Sequence, residues 1–129
     1  MSAKILTVDD SKMVRMIVTK AFAPYGCEIF EASNGADALA SATANLPDLI
    51  FLDITMGDMS GLAVLEQLRA IPAFVNTPVV MLTAESGKTT LERADKLKVA
   101  GYVSKPFKGE QLLELAAKFI SLTPPAAAA

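Results

Sequence analysis

Hydrophobic residues fall along this chain in short unbroken blocks. Between the blocks they recur every three or four positions. Continuous apolar runs of about 4–8 residues bounded by turn residues read as strands buried on both faces. Five segments read as strands, the second with Ile29 and Phe30 as its apolar bulk: residues 4–8, Cys27–Ala32, Leu49–Asp53, Val79–Thr83 and the short Tyr102–Ser104. Helix-like segments alternate with them. Ser11 is suited to N-cap a helix running through Phe22, with Val14, Ile17, Val18, Ala21 and Phe22 on one face and Pro24 and Gly26 to end it. Asn34 caps an alanine-rich helix, Ala36–Asn45, which Pro47 stops. Gly61–Ile71 turns Leu62, Leu65 and Leu68 inward and ends at Pro72. Residues 86–98 form a polar, charged helix. Glu110–Ser121 is a last amphipathic helix, with Leu112, Leu113, Leu115, Ala116, Phe119 and Ile120 on its apolar side. Residues 123–129 read as a flexible Pro/Ala tail, leaving 1–122 as one domain.

Strands joined through helices imply a parallel sheet covered on both faces. Right-handed crossovers then bring every strand's C-terminal end to one edge, where open α/β sheets bind ligands. The residues at those ends are Asp9-Asp10, Ala32-Ser33, Asp53, Thr83-Ala84 and Lys105. Asp53 closes the block Leu49-Ile50-Phe51-Leu52. A charge is costly inside such a strand, so Asp53 belongs at its open tip.

Composition narrows the chemistry. The 129 residues are 52% hydrophobic and 20% charged, which fits a packed domain rather than a disordered chain. A net charge of −2 with mixed signs gives nucleic acid no electrostatic footing as a direct partner. No apolar run approaches the roughly 18–20 residues that span a bilayer. The segment Met1–Asp9 turns acidic too soon for a signal peptide, so a cytoplasmic location without membrane contact is expected. The single cysteine, Cys27, fits a reducing compartment. Histidine is absent, which removes Ser-His-Asp and Cys-His catalysis, histidine metal sites and a phosphohistidine on this chain. A bound metal would be held mainly by oxygen, which favours magnesium, calcium or manganese.

Three carboxylates on one rim repel one another, by about 4 kcal/mol per pair at ~4 Å and an effective dielectric near 20. A hard dication relieves this, and Lys105 supplies a second positive charge. A phosphoryl group is the natural ligand of such a site: a magnesium ion and Lys105 neutralise its oxygens, and the Thr83 hydroxyl donates to another. Asp53, the solitary carboxylate at the central strand end, is best placed as nucleophile; Asp9 and Asp10 are better placed as metal ligands. Singly these features are ordinary. An Asp-Asp pair before a helix is often an N-cap, and Lys-Pro is usually a turn. Their shared position at successive strand ends is what points to a site.

The same residues carry a resemblance over roughly residues 4–121. Val8-Asp9-Asp10-Ser11, Asp53-Ile54-Thr55-Met56, Gly61-Leu62, Met81-Leu82-Thr83-Ala84 and Gly101-Tyr102-Val103-Ser104-Lys105-Pro106-Phe107 together resemble the receiver domains of two-component response regulators, of the single-domain, chemotaxis-regulator kind. The resemblance implies an α/β flavodoxin-like three-layer αβα sandwich, with five parallel strands in the order 2-1-3-4-5 and five helices. It implies Asp53 as phosphoacceptor (4-aspartylphosphate), with Mg2+, or manganese in its place, held by Asp9, Asp10, Asp53 and the backbone carbonyl of Thr55. Thr83 and Lys105 would contact the phosphoryl group, Lys105-Pro106 would be a cis bond, and Thr83 with Tyr102 would be the switch pair. Thr55 and Glu85 match positions that tune hydrolysis. Two departures stand out: Gly57 where the family usually has proline, and Lys98 where glycine is common at the end of the fourth helix.

The implied function is a phosphorylation-activated signalling switch rather than an enzyme. A sensor histidine kinase or histidine phosphotransfer protein would donate the phosphoryl group, and the face of the fourth helix, fifth strand and fifth helix would change its affinity for a downstream protein. With few residues after the last helix, output is expected by docking, as a monomer or a weak phosphorylation-dependent dimer. Other readings fare worse. Gly87-Lys88-Thr89 imitates a nucleotide P-loop, but Leu82 stands where its first glycine is needed. A flavodoxin needs an uncharged loop after its first strand, and a haloacid-dehalogenase-type phosphatase needs Asp-x-Asp there and a cap domain. The rival from another class is a phosphorylation-independent interaction module of the same fold, or a phosphate sink.

Overall fold

The computed structural model describes residues 3–54, 60–83, 88–105, 107–120 and 122, with the backbone alone for residues 88–91. Five parallel strands, β1 (Lys4–Val8), β2 (Glu28–Ala32), β3 (Leu49–Asp53), β4 (Val79–Thr83) and β5 (Gly101–Ser104), form one sheet in the order β2-β1-β3-β4-β5. Five helices alternate with them: α1 (Lys12–Phe22), α2 (Gly35–Asn45), α3 (Gly61–Ala70), α4 (Lys88–Lys96) and α5 (Gly109–Ala116). Single 3-10 turns, each with a proline near its start, follow α1 and α3. No helix among the described residues is long and apolar enough to cross a membrane.

Strand alternation divides the core between the two faces of the sheet. Leu6, Val8, Ile50, Leu52, Val79 and Met81 meet Ala38 and Ala42 of α2, Leu62, Leu65 and Leu68 of α3 and Ala94 of α4. Ile5, Leu49, Phe51, Val80, Leu82 and Val103 meet Val18 and Phe22 of α1 and Leu112 and Ala116 of α5. Strand β3 lies at the centre, and all five of its residues are buried. Phe51 packs on Phe22 with ring centroids 5.6 Å apart, which anchors α1 under the middle of the sheet.

The local rules read from the sequence act where they should. The Ser11 hydroxyl accepts from the Val14 N–H and the Asn34 side chain from the Asp37 N–H, so both cap their helices. Several boundaries differ from expectation. β2 starts at Glu28 rather than Cys27, β5 at Gly101 rather than Tyr102, and α2 at Gly35 rather than Ala36. α3 stops at Ala70, because Ile71 leaves for extended backbone before Pro72. α4 ends at Lys96, and Leu97 and Lys98 turn out of it. Lys98 has φ 59°, so the left-handed position that glycine favours is occupied by lysine. The largest difference is in α5, which ends at Ala116 instead of Ser121. The Lys118 and Phe119 N–H groups bond three residues back, to Leu115 and Ala116, and this tightening turns Phe119 outward to 39% exposure instead of placing it on the apolar side. Residues 123–129, Thr55, Gly57, Ala84, Glu85 and Pro106, and with Pro106 the expected cis bond, lie outside the described residues.

Candidate functional site

The parallel sheet aligns the ends of β1, β3, β4 and β5 along one edge, and the charged residues meet there. Asp9 follows β1 and is fully buried. Its N–H donates to the Ala32 carbonyl at 3.1 Å, extending the β1–β2 pairing by one residue. The Ser11 N–H donates to Asp9 Oδ1 at 2.8 Å and fixes the carboxylate at the start of α1. Arg15, one turn into α1, donates from Nη1 to the Asp9 carbonyl at 2.5 Å and from Nε to Glu31 Oε1 at 3.1 Å. It thereby ties the ends of β1 and β2 to the helix. Sequence reasoning did not find Arg15; a long cation inside the apolar pattern of α1 was the available signal.

Asp53 ends β3 at 2% exposure. The chain leaves it under tight constraint, because the Ile54 N–H donates to Leu82 O at 3.1 Å and the Gly61 N–H donates to Ile54 O at 2.7 Å. A Cβ at Gly61 would stand 2.1 Å from the Asp53 carbonyl oxygen, so only glycine lets the first turn of α3 approach this strand end. Thr83 ends β4 at 4% exposure, and its carbonyl accepts the Lys105 N–H at 2.7 Å. That bond aims Lys105 back across the edge. Its Nζ lies 2.8 Å from Asp9 Oδ2 and donates to Asp53 Oδ1 at 3.1 Å. Burial alone would lower the Lys105 ammonium's pKa; hydrogen bonds to Asp9 and Asp53, with their charges, outweigh burial and raise it.

Asp10 is exposed beside them, and Asp9, Asp10 and Asp53 each offer a carboxylate oxygen within 4.8 Å of the others. Among the described residues, three carboxylates against one ammonium leave a surplus of negative charge in a partly dry site. The donor set is all oxygen, which suits a hard dication such as magnesium that keeps several waters. Thus Asp9, Asp10, Asp53 and Lys105 come together, Thr83 stands on the same edge, and Thr55 and Glu85 fall outside the described residues. Tyr102 lies farther back on β5, beside Met81 of β4, and its hydroxyl donates to Asp95 Oδ1 of α4.

Comparison with known proteins agrees with this architecture. The sequence pattern described as response regulator receiver domain matches residues 5–117. The chain is 33% identical over 110 residues to Protein PilG of Pseudomonas aeruginosa, covering 85% of this chain and 82% of that one. It is 30% identical over 122 residues to sporulation initiation phosphotransferase F of Bacillus subtilis, covering 95% and 97% respectively. The solved structure of chemotaxis protein CheY4 of Vibrio cholerae superposes with a TM-score of 0.88 at 31% identity, over 93% of this chain and all of that one. The family match runs from β1 through all five strands to the end of α5, so the chain belongs to the response regulator receiver domains.

Proposed function

We propose that this receiver domain is a switch thrown by phosphorylation of Asp53. The observation that carries the reading is the Lys105 ammonium bridging Asp9 and Asp53 within a cluster of three carboxylates. Asp9 is committed to the Ser11 N–H and to Lys105, and Asp10 is open to solvent. Asp53, at the tip of the central strand, is the carboxylate assigned to react. Its oxygen attacks the phosphorus of a donor phosphohistidine protonated at its other ring nitrogen, the bond from phosphorus to nitrogen breaks, and its electron pair stays on that nitrogen so that a neutral imidazole departs. Lys105 balances charge on the transferred group, and the Thr83 hydroxyl donates to it. Asp9, Asp10, Asp53 and the Thr55 carbonyl would hold magnesium, or manganese in its place, and the ion would supply charge neutralisation at the phosphoryl oxygens.

Receiver domains as a class are regulatory switches. Here the donor is a sensor histidine kinase or a histidine phosphotransfer protein, and the output is altered docking of a downstream protein on the face formed by α4, β5 and α5. Thr83 and Tyr102 carry the change: the hydroxyl turns toward the phosphoryl oxygen and the ring follows into the space it leaves. The phosphotransferase among the relatives supports a second reading, in which the phosphoryl group is passed on rather than read out. The test is incubation with magnesium and a labelled small phosphodonor. The wild type takes up label and Asp53→Asn does not; equal labelling of the variant would overturn the assignment.

A further inference from the structure

Helix α4 ends with Arg93, Ala94, Asp95 and Lys96. Cations in a last turn suit the helix dipole, and a carboxylate there opposes it. Asp95 is exposed and so adds little packing. What it does have is the Tyr102 hydroxyl, which donates to its Oδ1 across the α4–β5 junction.

The position of Tyr102 gives that bond a consequence. Met81 pairs with Tyr102 and Thr83 with Ser104 on adjacent parallel strands. Alternation along β4 carries Thr83 to the same face as Met81, and Tyr102 packs against the core on that face with Leu97 and Val99. Tyr102 and Thr83 are therefore diagonal neighbours on one face of the sheet, within reach of one another for an aromatic side chain. The hydroxyl held on α4 and the ring moved toward Thr83 are alternative arrangements, because the first fixes the far end of the ring at the helix.

We propose that Asp95 is a positioning residue of the switch. By accepting the Tyr102 hydroxyl it ties the ring to α4 in the resting state, and modification at Asp53 must break this tie before the ring can move. The proposal rests on Tyr102 being the moving element. In its favour, burial, the hydrogen bond to Asp95 and the Asp95 charge hold the phenol protonated, with its pKa pushed up to about 12. A bond that exists in one state only biases the equilibrium by its own free energy, and the site at Asp53 feels that bias in return. For a phenol on an exposed carboxylate the bias is roughly 3- to 10-fold.

The test uses the whole chain with ring-13C tyrosine, beryllofluoride and magnesium. The two tyrosines, Tyr25 and Tyr102, are told apart with Tyr102→Phe. Asp95→Ala is expected to move the Tyr102 ring signals before any beryllofluoride is added, and to lower the half-saturating beryllofluoride concentration by roughly 3- to 10-fold. Asp95→Asn keeps a weaker acceptor and is expected to fall between. In the Tyr102→Phe background the same Asp95→Ala change is expected to do nothing. Unmoved ring signals overturn the proposal. So does an unchanged half-saturation, since the bond would then exist without biasing the site, and so does an equal gain in the Tyr102→Phe background. If the wild type fails to take beryllofluoride at all, the reading of Asp53 is what fails, and the ring signals still decide whether Asp95 holds Tyr102.

Discussion

Replacing Lys105 by alanine removes an ammonium that lies 2.8 Å from Asp9 Oδ2 and 3.1 Å from Asp53 Oδ1. The two carboxylate side chains are 0% and 3% exposed and Lys105 is 22% exposed, so water entering the vacated space replaces only part of its charge. At about 3 Å and an effective dielectric of about 20, each contact contributes about 5 kcal/mol of attraction. Desolvation of the partly buried ammonium offsets most of that sum. A net loss of about 2–4 kcal/mol is expected, near the range for breaking a buried pair from one side. With a urea slope of roughly 2 kcal/mol per molar, the midpoint falls by roughly 1–2 M. Magnesium should then recover more stability in the variant than in the wild type, because the dication no longer competes with Lys105 for Asp9 and Asp53. At 100 times its dissociation constant a ligand specific for the folded state adds about 2.7 kcal/mol. The assay is urea unfolding of both proteins with and without magnesium chloride. A loss below about 0.5 kcal/mol without magnesium, against the expected range, or an equal loss with and without it, would refute the view that Lys105 balances this cluster.

Three further outcomes follow from particular contacts. Arg69 donates to the carbonyls of Leu97, Phe74, Thr77 and Lys98 at 2.8, 2.6, 2.8 and 3.1 Å, fastening the end of α4 to the α3–β4 connection. Arg69→Met should cost about 2–4 kcal/mol in urea unfolding and raise hydrogen exchange at Val99 and Ala100, whereas unchanged exchange there would show the fastening to be idle. Gly61→Ala forces a Cβ onto the Asp53 carbonyl at 2.1 Å, where backbone must move. It should cost about 3 kcal/mol or more and weaken magnesium binding measured by calorimetry; wild-type affinity would contradict the tight approach of α3 to this strand end. Lys98→Gly relieves a left-handed φ of 59° and should raise stability by about 0.5–1 kcal/mol, while a loss would mean that the lysine side chain matters more than its backbone.

The sequence made the middle of the sheet legible because β3 and β4 are buried along their whole length and appear as nearly unbroken apolar blocks, whereas β2, with exposed Glu28 and Glu31, and the short β5 show weaker ones. Asp9, Asp53, Thr83 and Lys105 were legible as neighbours because a parallel sheet brings all strand ends to one edge, whatever the helices do. The order β2-β1-β3-β4-β5 came from family resemblance and not from the blocks, which carry no record of which strand lies beside which. Helix ends were less legible. In α5 the apolar pattern continues through Phe119 and Ile120, yet no proline or glycine marks the point after Ala116 where the backbone tightens. Contacts made by long side chains between elements were not legible at all. Arg15 reaching Asp9 and Glu31, Arg69 reaching four carbonyls and Tyr102 reaching Asp95 depend on distances across the folded chain; only the cation interrupting the apolar pattern of α1 hints at the first, and no local spacing names its partners. Gly61 is a middle case: a glycine opening a helix hints at close approach without saying what is approached.

In the proposed switch Asp53 becomes an acyl phosphate. This is tested most directly by treating the full chain with magnesium and a small phosphodonor, reducing with borohydride, and sequencing the peptides that contain Asp53 and Asp9-Asp10. An acyl phosphate is reduced at its carbonyl and an unmodified carboxylate is not. Homoserine is expected at position 53, dependent on both magnesium and donor. Homoserine at position 9 or 10 instead, or an unreduced Asp53 under conditions that label the protein, would contradict it.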